Sequence, residues 1–403
     1  MSVSTNIELA NMVFFLHAYQ PPTPVQKPKI VRRVIDNSYR PLSEALLSDS
    51  EIRLSINVNA SLSEVLAVEA PDVIESLCLL AESSQLEFLG SAAYHPILPL
   101  LSPEHQLEQV HLNESINREI FGPSYKTQGF FPPELAMNQE LVELLTQEQW
   151  RYAIAPENLF LSECSVAKVY STDFFLVKRN RTISNELAFN QLGSDLDLRK
   201  AVLNYSLGEF DQVPVVGMDW ETFGEHHKGY IDFLIRSLRH IHTIQAGGYV
   251  DMGEFEGFTK ELRLEELQTS SWSTEEEDLA KNIPFPLWDH PENKLHELIN
   301  KLLRLTEEMG FQLKRRSTNF YKSHQSCQLW WSSNEHFGPD IVFRAFEFQE
   351  QVLTELAGRA DEEGLTEDPK FVEKLNLAKE LLQQGQEALA DRAKQEKRNI
   401  SRR

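Results

Sequence analysis

Two acidic side chains stand where apolar segments of the sequence end. Glu134 follows two prolines, which fix the backbone and terminate the apolar segment 127–131. Asp219 closes the apolar segment 213–218, where a charge is costly unless it has a partner or a task. Two carboxylates that face each other across a pocket can cleave a glycosidic bond, because one attacks or stabilises the sugar cation while the other carries the proton. In enzymes that retain the anomeric configuration, such a pair lies about 5–5.5 Å apart.

Both acids also have a purely structural interpretation. Glu134 could cap the helix that starts near Asn138, and Asp219 could form an ion pair with a nearby Lys or Arg. Acids at strand ends are common, so spacing alone favours these structural roles.

Other polar side chains follow apolar segments in the same way. The side chains that share this position are His17, Gln20, His95, Glu221 and His226. Because catalytic residues of (β/α) barrels lie at the carboxyl ends of the strands, this repetition predicts one pocket lined by several strand ends.

Short apolar segments alternate with helical patterns over the first two thirds of the chain, which predicts a parallel α/β sheet covered on both faces. A barrel fits better than an open doubly wound sheet, because no glycine-rich phosphate-binding turn follows the first strand. The predicted strands are 12–16, 52–58, 86–90, 127–131, 152–155 and 213–218, with 248–252 as a candidate for the last. A helix is predicted over 229–245, and the chain from about residue 275 reads as helical, with long helices over 292–309, 342–363 and 369–397.

The composition excludes several classes of partner. The 403 residues contain 39 Lys and Arg against 61 Asp and Glu, a formal net charge of −22. Nucleic acid is therefore not expected as a partner, and neither is an anionic membrane surface. The three cysteines are widely spaced, and the first apolar segment is too short for a signal peptide or a membrane span, so we expect a cytoplasmic protein. No His-x-x-x-His pair occurs, and we expect neither a metal ion nor a cofactor.

Five segments, in order, resemble the conserved regions of glycoside hydrolase family 57, whose members act on α-glucans such as starch and glycogen. The segments are His17–Pro21, 86–96, Gly129–Glu134, Met218–His226 and Trp330–Ser333. The fourth is the most specific, because Asp-x-Glu-x-Phe-Gly is a long and unusual string. In the first, two residues separate His17 from Gln20, where the family usually reads His-Gln-Pro. In the third, Phe131 occupies a position where many relatives have Trp.

The resemblance implies a seven-stranded (β/α) barrel of distorted TIM type with a helical C-terminal region. Residues 1–270 would form the catalytic barrel, and residues 271–403 the helical region that contributes to the active-site cleft. It also implies a retaining double displacement, with Glu134 as nucleophile and Asp219 as general acid and base.

The resemblance further implies which side chains meet the sugar, an α-glucan or maltooligosaccharide. Hydrogen bonds to hydroxyls are expected from His17, Gln20 and His95, and His226 is expected to line the pocket. Aromatic contacts are expected from Phe131, Trp220, Trp330 and Trp331, since sugar C–H faces stack on flat rings. Glu221 either tunes Asp219 and binds a hydroxyl or is a surface acid paired with a Lys, and both interpretations remain open.

The string from Glu221 to His226 favours the α-amylase-type members over the branching enzymes. Transglycosylation would use the same carboxylates. The alternatives of another class are a non-catalytic glucan-binding protein and a metal-dependent polysaccharide deacetylase. The presence of both acids disfavours the first, and the absence of a metal-ligand spacing disfavours the second.

Overall fold

The computed structural model describes residues 10–161, 164–207, 213–256 and 259–400. Its strands are β1 Ala10–Ala18, β2 Leu54–Val58, β3 Leu86–Gly90, β4 Thr127–Phe130, β5 Tyr152–Ala155, β6 Val166–Val169, β7 Phe175–Lys178, β8 Val215–Asp219, β9 Ile241–Ile244 and β10 Lys260–Leu262. Its α-helices are α1 Pro28–Val34, α2 Arg40–Leu47, α3 Ala60–Glu69, α4 Pro71–Glu82, α5 Pro103–Phe121, α6 Gln139–Gln147, α7 Arg181–Ala188, α8 Asp195–Ser206, α9 Tyr230–Leu238, α10 Ala246–Glu256, α11 Glu276–Ala280, α12 Lys294–Gly310, α13 Thr318–Lys322, α14 Cys327–Trp330, α15 Pro339–Glu362 and α16 Pro369–Ile400. A π-helix, Ile35–Tyr39, joins α1 to α2.

In the described part of the chain, ten strands form one sheet in the order β10-β6-β7-β5-β4-β3-β2-β1-β8, and β9 pairs with the first half of β1. All pairs are parallel except β6 with β7. The predicted α/β class is therefore correct. The predicted count of seven strands is not confirmed, because the sheet also contains short strands that the sequence pattern does not predict.

The sheet curls, so that the chain just after β7 approaches β8. The Asn180 N–H donates to the Val215 carbonyl at 2.7 Å, and Arg179 Nε donates to the Gly217 carbonyl at 2.9 Å. Gly217 also lies against the ring of Phe15, where an added Cβ would lie only 2.1 Å from the nearest ring atom. The curled sheet therefore encloses an interior packed with side chains.

The two faces of β1 belong to different cores, as alternation along a strand requires. Val13 and Phe15 pack inside the curled sheet, whereas Met12, Phe14 and Leu16 pack outside it, among the covering helices. A strand buried on both faces reads as a continuous apolar run, which is why the sequence pattern finds it.

The predicted long helices of the C-terminal region are confirmed as α12, α15 and α16, which share a separate apolar core that includes Leu302, Phe346 and Leu382. Among the described residues beyond Leu262 there is no further strand. The domain boundary at 270/271 stays a prediction. None of the described helices is long and apolar enough to cross a membrane.

Two predicted elements are wrong. The helix predicted over 229–245 ends at Leu238 and is followed by β9, which pairs with β1. The strand predicted over 248–252 lies within α10. The N-terminus of α10 is satisfied from distant parts of the chain, because Ser55 Oγ accepts from the Ala246 N–H at 2.8 Å and Glu87 Oε2 accepts from the Gly247 N–H at 3.1 Å. No local pattern could indicate these partners.

Candidate active site

Polar residues end three neighbouring strands in register. His17 of β1 lies opposite Asn57 of β2 on one side and opposite Asp219 of β8 on the other. The next strands along the sheet, β3 and β4, lead to His95 and Glu134. The carboxyl ends of these strands therefore bring together residues that are far apart in the sequence.

Glu134 is held in an uncommon backbone conformation. Its φ is 59° and its ψ is 16°, in the left-handed region that non-glycine residues seldom adopt and that often marks functional sites. Trp272 holds it at two points, since the Trp272 N–H donates to the Glu134 carbonyl at 3.2 Å and its Nε1–H donates to Oε2 at 2.9 Å. Asn138 Oδ1, and not Glu134, accepts from the Leu141 N–H at the start of α6, so the helix-cap interpretation of Glu134 is wrong.

Glu134 and Asp219 interact through their charges. Burial, and then the charge of Asp219, raise the pKa of Glu134 to about 8, while the Trp272 hydrogen bond opposes this shift. Burial raises the pKa of Asp219 to about 6, and the positive charge of Arg179 opposes that shift. In the described part of the chain, no Lys or Arg forms an ion pair with Asp219 within 4.0 Å. Asp219 lies deep enough among other atoms for desolvation to raise its pKa, yet part of its surface remains accessible to solvent.

Arg179 is a buried cation close to these acids, and sequence reasoning missed it. Only 5% of its side chain is exposed, and its Nη2 donates to Asn185 Oδ1 at 3.0 Å. Its guanidinium lies 5.6 Å from the centre of the Trp272 ring, within the range of a cation–π contact. Arg179 directly follows β7, so the rule that polar residues after strands line the pocket would have found it if β7 had been predicted.

Glu221 is buried, which excludes its interpretation as a surface acid paired with a Lys. Gln20 Nε2 donates to Glu221 Oε1 at 2.9 Å, and the hydroxyl of Tyr39 donates to the same oxygen. Burial and the charge of Asp219 raise the pKa of Glu221 to about 8, and the two donors oppose the shift.

Two neutral histidines form a chain of hydrogen bonds beside Glu134. Burial lowers the pKa of His17 to about 4, and burial with the neighbouring His17 lowers that of His95. Asn57 Oδ1 accepts from His17 Nδ1 at 2.7 Å, so His17 Nε2 must accept from His95 Nε2, 2.9 Å away. His95 Nδ1 then accepts from the Ser326 hydroxyl at 2.9 Å, and it lies 3.7 Å from Glu134 Oε1.

The rings beside these histidines form a stack. Tyr19 stacks on His95 with ring centres 3.9 Å apart, and Phe131 stacks on His17 at 4.5 Å. Phe131 is fully buried, so it supports His17 and presents no face to the cleft.

Of the remaining predicted aromatic contacts, that of Trp220 involves a buried ring, whereas those of Trp330 and Trp331 stay predictions. Trp220 is 1% exposed and packs edge-on against Tyr39 in the outer core, so its predicted contact with sugar is corrected to a packing role. Trp330 and Trp331 are partly buried against each other in the helical region, and Trp330 stacks on His336 at 4.1 Å. The His226 side chain is exposed.

The helical region reaches the site through the residues just before these tryptophans. Ser326 donates its backbone N–H to the His95 carbonyl at 2.9 Å. Burial and the charge of Glu134 raise the pKa of the Cys327 thiol, which places that thiol beside the acids. The side chains around the acids to which the sequence reasoning gave no role are Tyr19, Tyr39, Asn57, Arg179, Trp272, Ser326 and Cys327. Over the described ranges, no group of three or more His, Cys, Asp or Glu side chains is arranged to hold a metal ion.

A curled, mostly parallel α/β sheet with two interacting carboxylates at its carboxyl ends, together with a helical C-terminal region, is typical of glycoside hydrolases that work with a pair of acids. The family model for glycosyl hydrolase family 57 matches residues 5–266, well over half of the sequence. The chain belongs to this family, as the motifs predict.

Individual relatives are more distant. An alpha-amylase of Pyrococcus horikoshii is 27% identical over 152 residues, which cover 38% of this chain and 23% of the relative. The match thus spans less than a quarter of that protein's length. The crystal structure of a GH57-type branching enzyme from Pyrococcus horikoshii matches with a TM-score of 0.69 at 15% identity, over 93% of this chain and 94% of that one. The 4-alpha-glucanotransferase of Thermococcus litoralis matches with a TM-score of 0.68 at 17% identity, over 86% of this chain and 60% of that one. At these identities the two structures establish the fold.

Proposed function

We propose that the protein is a retaining glycoside hydrolase that acts on α-1,4-linked glucans through a covalent glycosyl-enzyme intermediate. The observation that carries the proposal is the pair Glu134 and Asp219, whose charges interact although they follow or end two strands, β4 and β8, that are not adjacent in the sheet of this family 57 fold. The name of the alpha-amylase relative supports an α-glucan as substrate.

In the first step, Asp219 gives its proton to the glycosidic oxygen, the bond from this oxygen to the anomeric carbon breaks, and a Glu134 oxygen bonds to that carbon. In the second step, the Asp219 carboxylate takes a proton from water while the water oxygen attacks the anomeric carbon and releases Glu134 as a carboxylate. His17 and His95 have lowered pKa values, so they are neutral and add no positive charge beside Glu134.

The order of the two pKa values is the reverse of what the first step needs. The pKa of Glu134, raised to about 8, lies above that of Asp219, raised to about 6, whereas the mechanism begins with the nucleophile ionised and the general acid protonated. Because the charge of Asp219 contributes to the raised pKa of Glu134, a proton on Asp219 removes that contribution and favours the ionised form of Glu134. Positive charge that develops on the sugar favours an ionised Glu134, and the Trp272 N–H already donates to it.

The helical region is part of the proposed enzyme. Ser326 and Cys327, which lie in the proposed unit 271–403, contact or face residues of the proposed barrel unit 1–270. We therefore propose that neither unit is active without the other.

A fluorinated maltosyl fluoride tests the assignment, because fluorine slows hydrolysis of the glycosyl-enzyme and allows the labelled peptide to be identified by mass spectrometry. A label on Glu134 supports the proposal, and a label on Asp219 reverses the two roles. Incubation with maltoheptaose separates the reactions, since shorter products alone indicate hydrolysis and longer products indicate glucanotransfer. Glu134→Gln should abolish both, while Glu148→Gln, which changes an exposed acid paired with His111, should affect neither.

A further inference from the structure

We propose that Tyr39 is a positioning residue for the carboxylate cluster, because it fixes Glu221 through a single oxygen and leaves the other oxygen available to the cleft. This inference rests on the proposed function and adds a residue that the family motifs do not contain. Tyr39 lies in the π-helix, 182 positions before Glu221 in the sequence.

The geometry at Glu221 is one-sided. Among the described residues, Gln20 and Tyr39 both donate to Oε1, and no other side chain donates to Oε2. Gln20 Nε2 also lies 3.3 Å from the Tyr39 oxygen, so the two donors support each other. A carboxylate held in this way cannot rotate without losing two hydrogen bonds, and its second oxygen remains able to accept from a sugar hydroxyl.

The π-helix is attached to the whole segment that carries Glu221. Ser38 Oγ donates to the Trp220 carbonyl at 3.1 Å, and Asn37 Nδ2 donates to Glu225 Oε2 at 2.9 Å. The backbone of Asn37 also approaches Gly224 so closely that a Cβ there would lie 1.9 Å from the Asn37 carbonyl oxygen. Three consecutive residues of the π-helix therefore contact the segment 220–225 on both sides of Glu221.

A π-helix that positions one buried acid is not expected from the requirements of stability alone. Single-turn π-helices are rare and occur frequently at functional sites. Tyr39 is 1% exposed, and burial together with Glu221 raises the pKa of its hydroxyl, so the hydroxyl stays protonated and acts as a donor at every working pH. The other titratable groups that face Glu221 are Asp219 and Cys327.

The test is Tyr39→Phe, which keeps the ring and removes the hydroxyl. A lost donor to an anion favours the protonated form of the cluster, so the pH profile of kcat/KM should shift to higher pH. Misplacement of Glu221 should also lower kcat/KM by about 10- to 100-fold at the original optimum. Tyr125→Phe is the matched control, since Tyr125 is a buried tyrosine that donates to Glu114 Oε1 at 2.8 Å away from the cleft. Its pH profile should not move.

A double-mutant cycle keeps the inference falsifiable if Tyr39→Phe loses stability. If Tyr39 acts through Glu221, then Tyr39→Phe should have little further effect on the pH profile in the Glu221→Gln background. Additive effects, or an equal loss of rate at all pH values, would overturn the proposal and indicate a merely structural tyrosine.

A measurement that does not depend on enzymatic activity distinguishes this inference from the proposed function. Selective ¹³C labelling of glutamate side chains gives the titration of Glu221, assigned by its loss in Glu221→Gln. The midpoint should rise in Tyr39→Phe and stay constant in Tyr125→Phe. If the wild-type protein does not act on maltoheptaose, the proposed function fails, and the titration still decides whether Tyr39 holds Glu221. An unchanged midpoint contradicts the inference.

Discussion

Both ends of the curled sheet contain buried or partly buried acids, but the hydrogen-bond partners of these acids differ between the two ends. At the amino end, Glu87 accepts from the Ser55 hydroxyl at 2.7 Å, the Tyr152 hydroxyl at 2.6 Å and the Gly247 N–H at 3.1 Å. Its charge also lies at the N-terminus of α10, where the helix dipole favours an anion. Both carboxylate oxygens of Glu87 thus accept hydrogen bonds from within the fold.

At the carboxyl end, the acids face one another. The pKa values of Glu134, Asp219 and Glu221 are all raised, with burial as the largest cause. Arg179 is a buried cation close to Asp219; it donates to Gly217 and Asn185 and forms an ion pair with Glu157 at 3.7 Å. An acid whose oxygens all accept hydrogen bonds stabilises the fold. A group of buried acids with raised pKa values instead indicates a candidate catalytic site.

The largest expected effect that tests this comparison is at Asp219. Asp219→Asn should lower kcat/KM for maltoheptaose by about 10²- to 10⁴-fold, because the general acid is lost, with little change in the free energy of unfolding. Added azide should restore turnover of α-maltosyl fluoride and give the α-azide, since the fluoride leaves without a general acid. Formation of the β-azide would identify Asp219 as the nucleophile. Asp195→Asn, on an acid paired with Arg236 at the surface, serves as the control.

The second expected effect is at the Trp272 contact with Glu134. Trp272→Phe keeps a ring in place and removes the donor to Oε2. Because that hydrogen bond lowers the pKa of Glu134, its loss should raise this pKa further, and the acid limb of the kcat/KM profile should move to higher pH. A hydrogen bond to a charged group contributes about 1.5–3 kcal/mol, so we expect a loss of about 10- to 100-fold in kcat/KM below the optimum.

Trp288→Phe is the control for this change. Trp288 is fully buried, and its Nε1 has no hydrogen-bond partner in the described structure. The substitution Trp288→Phe should therefore not shift the pH profile of kcat/KM. A profile that moves equally in both variants would mean that Trp272 acts through packing and not through its N–H.

The position of two acids at strand ends could be predicted from the sequence, for a physical reason. Strands buried on both faces appear as continuous apolar runs, so the residues that follow them are easily recognised. The position after an apolar run identifies Glu134 and Asp219 as candidate site residues, and the family resemblance implies their roles. The structure brings them together with His17, Gln20, His95 and Glu221.

What the sequence did not predict has a common cause. The strands β6, β7, β9 and β10 have three or four residues each, and each contains a Lys or a His that interrupts the apolar run. Without β7, Arg179 could not be recognised as a strand-end residue. Tyr39 lies in a π-helix, whose hydrogen-bond pattern has no simple sequence signature, and Ser326 reaches the site from the helical region. Contacts across long separations in the sequence decide all three positions.

The smallest expected effect on activity is at the amino end, and it tests the comparison from the other side. Glu87→Gln keeps the shape of the side chain but removes a charge that three donors stabilise. The free energy of unfolding should fall by about 1.5–3 kcal/mol, because hydrogen bonds to a charged group are lost and an amide cannot accept at both positions. The measurement is urea denaturation at neutral pH, with kcat/KM for maltoheptaose determined on the same preparation.

Activity of the folded Glu87→Gln protein should stay within about threefold of the wild type, since small changes away from a site leave transition-state binding largely intact. Neutralising an acid at the carboxyl end, by Glu134→Gln, should do the opposite: it should abolish activity, and it should not destabilise the protein at pH values above about 8, where the folded state otherwise carries a buried charge. The sign follows from the raised pKa of Glu134, because a folded state that binds the proton more tightly than the unfolded state loses stability as the pH rises toward that pKa. Loss of activity in Glu87→Gln without loss of stability would contradict the assignment of a structural role to Glu87 and of catalysis to the acids at the carboxyl end.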